Sequence, residues 1–338
     1  ARHIAGDDVQ DTDIFRAGTP LLFSTFGLTY QYNPDVMCPQ WLKYLEGVQP
    51  VEQDRMVLQM LCGLALVPFT RWNVFFVLFG EGGTGKSVFL HVLRHLTGPG
   101  NVCCLPLSRF AERFSTWMLA THLLNIVGDM PTSDGEAGLR HIEGMLKDVT
   151  DGGLIPVEHK HMEPATAPAI ARCVFATNSL PHFADHSRAL WDRLRVVPFE
   201  QRFRGTANEN RNLRHDIVRE ELPGVFNWAV EGLALLLAER EFPEHTGGAA
   251  VKEQHRIACD PERMFLESNY ARTDATDAYV ESASLYDTFA EWTKANGYRQ
   301  RSSGTLEQAV LRIFNSQKIR TRIDGAQRVV FPCLRRAL

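Results

Sequence analysis

The sequence predicts an α/β fold built on a parallel sheet, and three observations lead to that class. Helical patterns alternate with apolar runs, as in residues 88–96 and 139–149. A glycine-rich loop follows the first apolar run directly, as in phosphate-binding α/β proteins. Four of these runs have the length and apolar content of strands buried on both faces: residues 73–79, 123–127, 172–177 and 194–199.

The composition is that of a soluble globular protein. The 338 residues are 44% hydrophobic and 22% charged, with a formal net charge of -4, which argues against disorder, collagen, coiled coil and a uniformly basic nucleic-acid coat. No apolar run approaches the roughly 18–20 residues of a bilayer span, and no signal peptide opens the chain, so no membrane partner is expected. Seven cysteines without a Cys-x-x-Cys pair favour a reducing, cytoplasmic location over a disulfide framework or a zinc ribbon.

Outside the sheet the sequence predicts helices and a terminal hairpin. One amphipathic helix covers residues 51–67 and ends at Pro68, and residues 212–238 are helical with a break at 222–224. Turn residues at 241–248 predict a linker. The chain then ends with two helices and two strands around Asp324-Gly325, which is the order of a winged-helix module. Their predicted positions are residues 283–296, 305–317, 319–323 and 327–331.

The strongest motif is the sequence GEGGTGKS at residues 80–87, which fits G-x-x-x-x-G-K-[ST] once. Its glycines let the backbone N–H groups line a concave anion site, and the following helix adds the positive end of its dipole. Lys86 is expected to reach the β- and γ-phosphates of ATP, and Ser87 to bind Mg²⁺. No Asn-Lys-x-Asp motif is present, which disfavours GTP. The alternative is a glycine-rich turn with a solvated lysine. The predicted nucleotide-binding residues are Gly80, Glu81, Gly82, Gly83, Thr84, Gly85, Lys86, Ser87 and Val88.

A second site residue follows the strand predicted at 123–127. Asp129 has the position of a Walker B acid and is expected to hold Mg²⁺, directly or through water. Many motor ATPases carry two adjacent acids here, whereas Met130 follows in this chain. Either Asp129 also acts as the catalytic base, or Asp134 or Glu136 does so. A strand-end Asp that caps a turn is the structural alternative.

In the order of these motifs, the chain resembles the superfamily 3 helicases, a branch of the AAA+ ATPases. It resembles in particular the helicase part of phage and plasmid primase–helicases related to the poxvirus primase–helicase. The phosphate loop and the Walker B strand carry part of the likeness. Gly128-Asp129 stands where the family often has a Glu, so the identity of the catalytic base stays open. The remaining matching segments, in order, are 32–42, 146–153, 157–160, 176–181, 191–199 and 221–229.

The resemblance implies roles for four further residues. Asn178 ends an apolar strand, where a carboxamide can hold the attacking water or the γ-phosphate; the alternative is a turn Asn before Pro181. Arg193 becomes an arginine finger for the neighbouring subunit's ATP. Its alternatives are the nearby Arg188 or Arg195 in that role, or a surface salt bridge with Asp192 or Glu200. His159 and Lys160 lie in a segment like the family's pore hairpin, where they would grip backbone phosphates, unless the segment is a solvated turn.

The C-terminal residues 299–338 contain nine Arg and Lys but two acids. This excess suggests a contact with duplex or forked DNA, although a packing domain with a solvated Arg-rich face would have the same composition. We therefore expect an N-terminal segment with a helical collar at 1–68, an AAA+ ATPase domain at 69–240 and a winged-helix-like domain at 250–338.

The motifs and the resemblance together predict an ATP- and Mg²⁺-dependent, ring-forming DNA helicase that translocates on single-stranded DNA during replication of a phage, plasmid or other mobile element. The resemblance implies that the ring is a homo-hexamer. Two alternatives stay open: an RNA-translocating or remodelling AAA+ ATPase, and a non-enzymatic origin-binding initiator that uses ATP structurally. Because the first residue is Ala1 rather than Met, we expect an excised or processed piece, before which a primase domain could lie.

Overall fold

We analysed a computed structural model that describes residues 24–128, 136–158, 163–181, 183, 188–207, 209–275 and 278–337. Within these residues two helices precede the first strand, helices and strands are mixed up to residue 198, and four consecutive helices follow. The helices are α1 (Pro39–Val48), α2 (Glu52–Leu64), α3 (Lys86–Thr97), α4 (Trp117–Thr121), α5 (Glu136–Thr150), α6 (Arg188–Arg193), α7 (Leu213–Glu220), α8 (Leu222–Glu239), α9 (Thr246–Ala258), α10 (Pro261–Asn269), α11 (Ser282–Ala295) and α12 (Ser303–Phe314). The strands are β1 (Phe75–Phe79), β2 (Val102–Cys103), β3 (Leu124–Val127), β4 (Leu154–Val157), β5 (Ala165–Pro168), β6 (Arg172–Thr177), β7 (Leu194–Pro198), β8 (Tyr270–Arg272), β9 (Tyr279–Glu281), β10 (Ile319–Ile323), β11 (Ala326–Pro332) and β12 (Leu334–Arg336).

The central sheet has five parallel strands in the order β2-β3-β6-β1-β7. The predicted α/β class with a parallel sheet is therefore confirmed, and the four apolar runs are four of its strands. The register places Phe79, the last residue of β1, beside Thr177 of β6 and Pro198 of β7. The carboxyl ends of these three strands consequently meet at one edge, where α/β sheets bind their ligands.

Both faces of the sheet are covered, which explains why β1 is apolar without interruption. Phe76 and Leu78 belong to a core shared with the helices α1, α2, α3 and α8. Phe75 and Val77 point to the other face and join a second core with α5 and α6. A strand buried on both faces needs an apolar side chain at every position rather than at every second one.

The helices α2 and α8 pack at unusually close range. A Cβ atom on Gly63 would lie 2.4 Å from the carbonyl oxygen of Ala229, and one on Gly232 would lie 2.3 Å from that of Gln59. Only glycine fits at these two positions. By length and mean hydropathy α8 is also long and apolar enough to cross a membrane, but here one of its sides is buried against α2 in the first core.

The prediction of a linker over residues 241–248 is wrong at its C-terminal end. Helix α9 begins at Thr246, and α10 follows it, although neither helix was predicted. Gly247 and Gly248 in the first turn of α9 disguise the helix, because glycine is a poor helix former. Gly248 is required by packing, since a Cβ atom there would lie 1.9 Å from the carbonyl oxygen of Val196 in β7.

The C-terminal residues form a core of their own, which includes Phe265, Phe289 and Phe331. The predicted hairpin is confirmed: β10 and β11 are antiparallel, and Asp324 and Gly325 both have positive φ, as a tight two-residue turn requires. A third strand, β9, pairs with the other side of β11. Its three residues precede α11 directly, so no alternating pattern was long enough to predict it.

Candidate nucleotide-binding site

The glycine-rich loop joins the carboxyl end of β1 to the first turn of α3. Gly83 and Gly85 have φ values of 88° and 99°, a conformation that favours glycine. Space is limiting as well: a Cβ atom on Gly83 would lie 2.6 Å from Cβ of Arg204, and one on Gly85 would lie 2.9 Å from Cγ1 of Val48. The neighbouring segments therefore leave no room for a side chain at these two positions of the loop.

Lys86 is the central side chain of the loop. Its Nζ donates hydrogen bonds to the carbonyl oxygens of Gly80 and Glu81, the latter at 2.8 Å, and to Oδ1 of Asn178 at 3.2 Å. The side chain is 9% exposed. The ammonium group is therefore held between the ends of β1 and β6. This contact brings together two predicted site residues that lie 92 positions apart in the sequence.

The loop has the features of an anion site. Among the described residues, no backbone carbonyl accepts a hydrogen bond from the N–H groups of Gly82, Gly83 or Gly85. Free N–H groups in a glycine-rich turn, followed by a helix, are suited to binding phosphate oxygens. Ser87 is exposed beside them, at the start of α3. No cluster of three metal-ligating side chains occurs in the described part of the chain. Mg²⁺ needs none, because it is usually bound by one or two protein oxygens together with phosphates and water.

A depression of about 1240 Å³ opens in front of the loop. Its lining includes Lys43, Tyr44 and Gly47 of α1 and residues of the segment 203–214. Cations prevail among its charged side chains, which favours an anionic ligand. The charged residues that line it are Lys43, Glu81, Lys86, Arg204, Glu209, Arg211 and Arg214.

Sequence reasoning missed the residues that hold the loop from outside. The backbone N–H groups of Phe203 and Arg204 donate to the carbonyl oxygen of Gly83 at 2.9 Å and 3.2 Å. Tyr44 donates its hydroxyl to the carbonyl oxygen of Gly85 at 3.0 Å. None of these residues belongs to a motif, and all of them are far from the loop in the sequence, so no local pattern connects them to it. Tyr44 lies in α1, a helix that was not predicted, and an aromatic side chain in such a helix indicates a core residue rather than a site residue.

Asp129 lies outside the described residues, and so does Asp134. Gly128, directly before Asp129, lines the depression. The backbone of Glu136 begins α5. The identity of the catalytic acid therefore stays a prediction.

Arg193 lies at the opposite edge of the sheet from the phosphate loop. Leu194, the next residue, pairs with Phe75 at the start of β1, whereas the loop follows Phe79 at its end. The four residue steps between them correspond to about 13 Å of strand. Arg193 therefore cannot reach the phosphate loop of its own chain without a rearrangement of the sheet.

In this conformation Arg193 is bound to Asp151. Its Nε and Nη2 donate to the two carboxylate oxygens at 2.8 Å and 2.6 Å, and Nη1 donates to the carbonyl oxygen of Ala189. Hydrogen bonding to Asp151 raises the pKa of the guanidinium above its usual value. The sequence suggested Asp192 or Glu200 as the salt-bridge partner of Arg193, but the acid that it hydrogen-bonds is Asp151.

The two rival arginines are placed differently. Arg195 donates to the carbonyl oxygen of Asp192 at 2.7 Å and lies 4.0 Å from Glu244. It is thus turned toward α9 and its preceding loop. The side chain of Arg188 is outside the described residues, although its backbone begins α6.

The strands β4 and β5 form an antiparallel hairpin, with Val157 opposite Ala165. His159 and Lys160, the residues predicted to grip DNA, lie between these strands and outside the described residues. Leu154 in β4 is 69% exposed, and most positions of both strands are exposed. Ile155 alone is fully buried and anchors the hairpin in the second core.

A second loop lies against this hairpin and was not predicted as functional. Thr116 donates to the carbonyl oxygen of Pro156 at 2.6 Å, and Arg113 forms an ion pair with Glu158. The Arg113 guanidinium lies 5.0 Å from the ring centre of Phe114. Phe114 is 39% exposed and has a φ of 65°, which is rare for a bulky residue. An exposed aromatic side chain held in such a conformation is a candidate ligand contact, and the sequence carried no signal for it.

Fold and loop together define a mixed α/β protein with a phosphate-loop-like site at the carboxyl edge of a parallel sheet. Residues 78–193 match the model of a family of unknown function, DUF5906. The chain is 23% identical over 312 residues to Putative helicase L207/L206 of Acanthamoeba polyphaga mimivirus, covering 85% of this chain and 32% of that protein. It is 24% identical over 243 residues to Putative helicase 121R of Invertebrate iridescent virus 3, covering 63% of this chain and 26% of that protein.

The chain thus spans about a third or less of the length of these two relatives. Among solved structures, the apo C-terminal region of NrS-1, residues 305–718, is similar with a TM-score of 0.57 and 11% sequence identity. The likeness covers 90% of this chain and 79% of that one. At this identity it shows a shared fold.

Proposed function

We propose that this chain is the motor part of a superfamily 3 helicase of the AAA+ type, which binds ATP and Mg²⁺, hydrolyses ATP and moves along single-stranded DNA. The observation that carries the proposal is the contact between Lys86 Nζ and Asn178 Oδ1 inside a glycine-rich loop. A cation and a carboxamide that meet at the ends of adjacent parallel strands are suited to a γ-phosphate and its attacking water.

Each residue then has a stated task. The backbone N–H groups of the loop and Lys86 bind the β- and γ-phosphates, and Asn178 orients the water. Ser87 and Asp129 would hold Mg²⁺, which neutralises charge that develops on the phosphates. Phosphate binding requires Lys86 to exchange the carbonyl oxygens of Gly80 and Glu81 for phosphate oxygens. The exchange is favourable because the new acceptors carry charge.

The position of Arg193 supports a ring. A residue about 13 Å from its own loop along β1 can complete an ATP site only in a neighbouring subunit. We therefore propose that ATP binds between subunits of a homo-oligomer, which the resemblance makes a homo-hexamer, and that Arg193 leaves Asp151 to stabilise transition-state charge in the adjacent site.

The β4–β5 hairpin is the proposed grip on DNA. Lys160 and His159 would contact backbone phosphates without reading sequence. Phe114 and Arg113 lie against the same hairpin through Glu158 and offer a ring on which a base can stack. Most positions of the hairpin strands are exposed and Ile155 alone is fully buried, so the hairpin can move when the neighbouring strand ends respond to nucleotide.

The names of the viral relatives favour a helicase, and the resemblance to primase–helicases favours replication of a phage, plasmid or other mobile element, with a primase domain upstream or separate and a cytoplasmic location. Within the chain we propose a collar at 1–68, an ATPase domain at 69–240 and a winged-helix-like domain at 250–338. α1 and α2 share their core with the ATPase sheet, so the collar would move with it.

The test is ATP turnover measured with single-stranded DNA, with single-stranded RNA and with neither. The helicase proposal expects strong stimulation by DNA, and Lys86→Ala serves as the inactive control. Equal or greater stimulation by RNA would favour the RNA-translocating alternative. Nucleotide-dependent assembly with no turnover under any of these conditions would favour the non-enzymatic initiator.

A further inference from the structure

In the C-terminal module some of the arginines and lysines already have an acidic partner, and others do not. Of the nine Arg and Lys in residues 299–338, four form ion pairs with described acids. The pairs are Arg301 with Glu262, Arg312 with Asp260, Lys318 with Glu307, and Arg328 with Glu281. These four cations already have an acidic neighbour within the module and are therefore less available to an external partner.

The β10–β11 hairpin has one neutralised face and one basic face. Side chains alternate along β10, so Thr321 shares a face with its partner Arg328, whose guanidinium is bound to Glu281. Arg320 and Arg322 lie on the other face, and both are exposed. Among the described residues no acid pairs with either of them. The basic face is therefore open to an anionic partner.

The helix that would read a DNA groove in a winged-helix module has no such charge. The exposed positions of α12 include Gln308 and Leu311, and Leu311 is 46% exposed. Its arginine, Arg312, donates to both carboxylate oxygens of Asp260 at 2.9 Å and 2.7 Å. The adjacent helix α11 exposes two acids, Asp287 and Glu291, and one cation, Lys294, so it adds no net positive charge for a phosphate backbone.

We propose that the β10–β11 hairpin binds the phosphate backbone of double-stranded DNA through Arg320 and Arg322, and that α12 does not supply the affinity. The proposal rests on the proposed function as a DNA-acting motor and names the surface that meets the duplex ahead of the fork. Arg320 and Arg322 are two residues apart on one strand, a distance of about 6.8 Å, so their guanidinium groups can contact separate phosphates of one DNA strand.

The same face disfavours a single strand as the partner. Proteins that bind single strands without sequence preference combine cations with aromatic rings on which bases stack. On the face with Arg320 and Arg322, β10 and β11 expose Gln327 but no aromatic ring, since Phe331 is buried. Binding through these arginines should be sequence-independent, because they contact phosphates only.

The test compares two double variants that remove the same charge. Arg320→Gln with Arg322→Gln removes the basic face, and Arg335→Gln with Arg336→Gln removes two exposed arginines of β12. Binding of a short blunt duplex of mixed sequence is measured by fluorescence anisotropy at several salt concentrations, without nucleotide. We expect the hairpin variant to lose about tenfold in affinity and the slope of log K against log salt to become shallower by about two.

The control variant and Gln308→Ala should keep the wild-type slope, and the hairpin variant should keep its affinity for a single strand of the same sequence. Equal losses in both double variants would overturn the proposal, because binding would then depend on the overall positive charge of the module rather than on the hairpin. Equal losses for duplex and single strand, or a wild-type chain that binds no duplex, would overturn it as well. The proposed motor function has a separate test. It fails if single-stranded DNA does not stimulate ATP turnover by the wild-type chain.

Discussion

Arg193 and Asp151 form a bidentate ion pair that joins the start of β7 to the base of the β4–β5 hairpin. Asp151 lies between α5 and β4, at the start of the hairpin. Gly152 follows it with a φ of 68°, and a Cβ atom at this position would clash with the side chain of Thr70. If Arg193 serves a neighbouring ATP site, it must leave Asp151 to do so. The hairpin would then be released from its base each time the finger engages.

The first prediction follows from this pair. Asp151→Asn removes the charge that holds Arg193, so the finger and the hairpin should become uncoupled. We expect basal ATP turnover within about twofold of wild type or above it, and stimulation by single-stranded DNA to fall about fivefold or more, the scale of a typical coupling free energy. Asp148→Asn is the matched control, because Asp148 is exposed one helical turn earlier. Unchanged stimulation in Asp151→Asn would mean that the pair is only structural.

The second prediction concerns the contact between Lys86 and Asn178. Lys86→Ala should abolish hydrolysis, because it removes the cation that contacts both the loop and the end of β6. Asn178→Ala should keep ATP binding but lower turnover by about a hundredfold, the loss of one transition-state contact. Binding of a fluorescent ATP analogue and steady-state turnover separate the two effects. Near-normal turnover in Lys86→Ala would show that the loop is not a catalytic site.

The third prediction tests the neighbour's site. Arg193→Ala should bind ATP normally and lose about a thousandfold in turnover, as when an arginine finger is removed. Mixing it with Lys86→Ala should restore part of the activity, since some interfaces then combine an intact loop with an intact finger. Mixed rings must be confirmed by mass. No recovery at any ratio would place Arg193 within its own subunit or outside catalysis.

The sheet was predictable because strands buried on both faces leave an uninterrupted apolar run, as in Phe75–Phe79. The loop was predictable because glycine and lysine at a fixed spacing have few other uses. Contacts made across the fold were not predictable. Asp151 lies 42 residues from Arg193, and Phe203 lies far from Gly83. Helix α9 was missed for a related reason: Gly248 is dictated by β7 and contradicts the local helix preference.

The fourth prediction concerns Phe114. If a base stacks on this ring, Phe114→Ala should weaken single-stranded DNA binding about tenfold, within the range measured for one base–aromatic stack, and should leave basal turnover unchanged. Lys160→Ala should lower binding and also flatten its salt dependence, because its contact is ionic. Leu154→Ala is the control, since Leu154 is exposed on the same hairpin. An equal loss in Leu154→Ala would assign the effect to hairpin structure rather than to stacking.

The fifth prediction concerns Glu262, which is 1% exposed at the start of α10. Neither of its carboxylate oxygens accepts a hydrogen bond from another described residue, and Nε of Arg301 lies 3.7 Å away, beyond hydrogen-bonding distance. Burial is the largest cause that raises the pKa of Glu262, and Asp260 raises it further, while its own backbone N–H and Arg312 lower it. The buried carboxylate therefore costs stability whenever it is ionised.

The sign of the pH effect follows from this shift. In the unfolded chain Glu262 titrates near its usual value of about 4.3, so stability falls as the pH rises above that value and levels off above the raised pKa. Glu262→Gln should raise Tm by about 2–4 °C at neutral pH, the shift expected from ~1 kcal/mol, and the gain should vanish near pH 4. Glu267→Gln, on the exposed side of the same helix, should change little. A lower Tm in Glu262→Gln at neutral pH would mean that the charge of Arg301 stabilises the carboxylate more than burial penalises it.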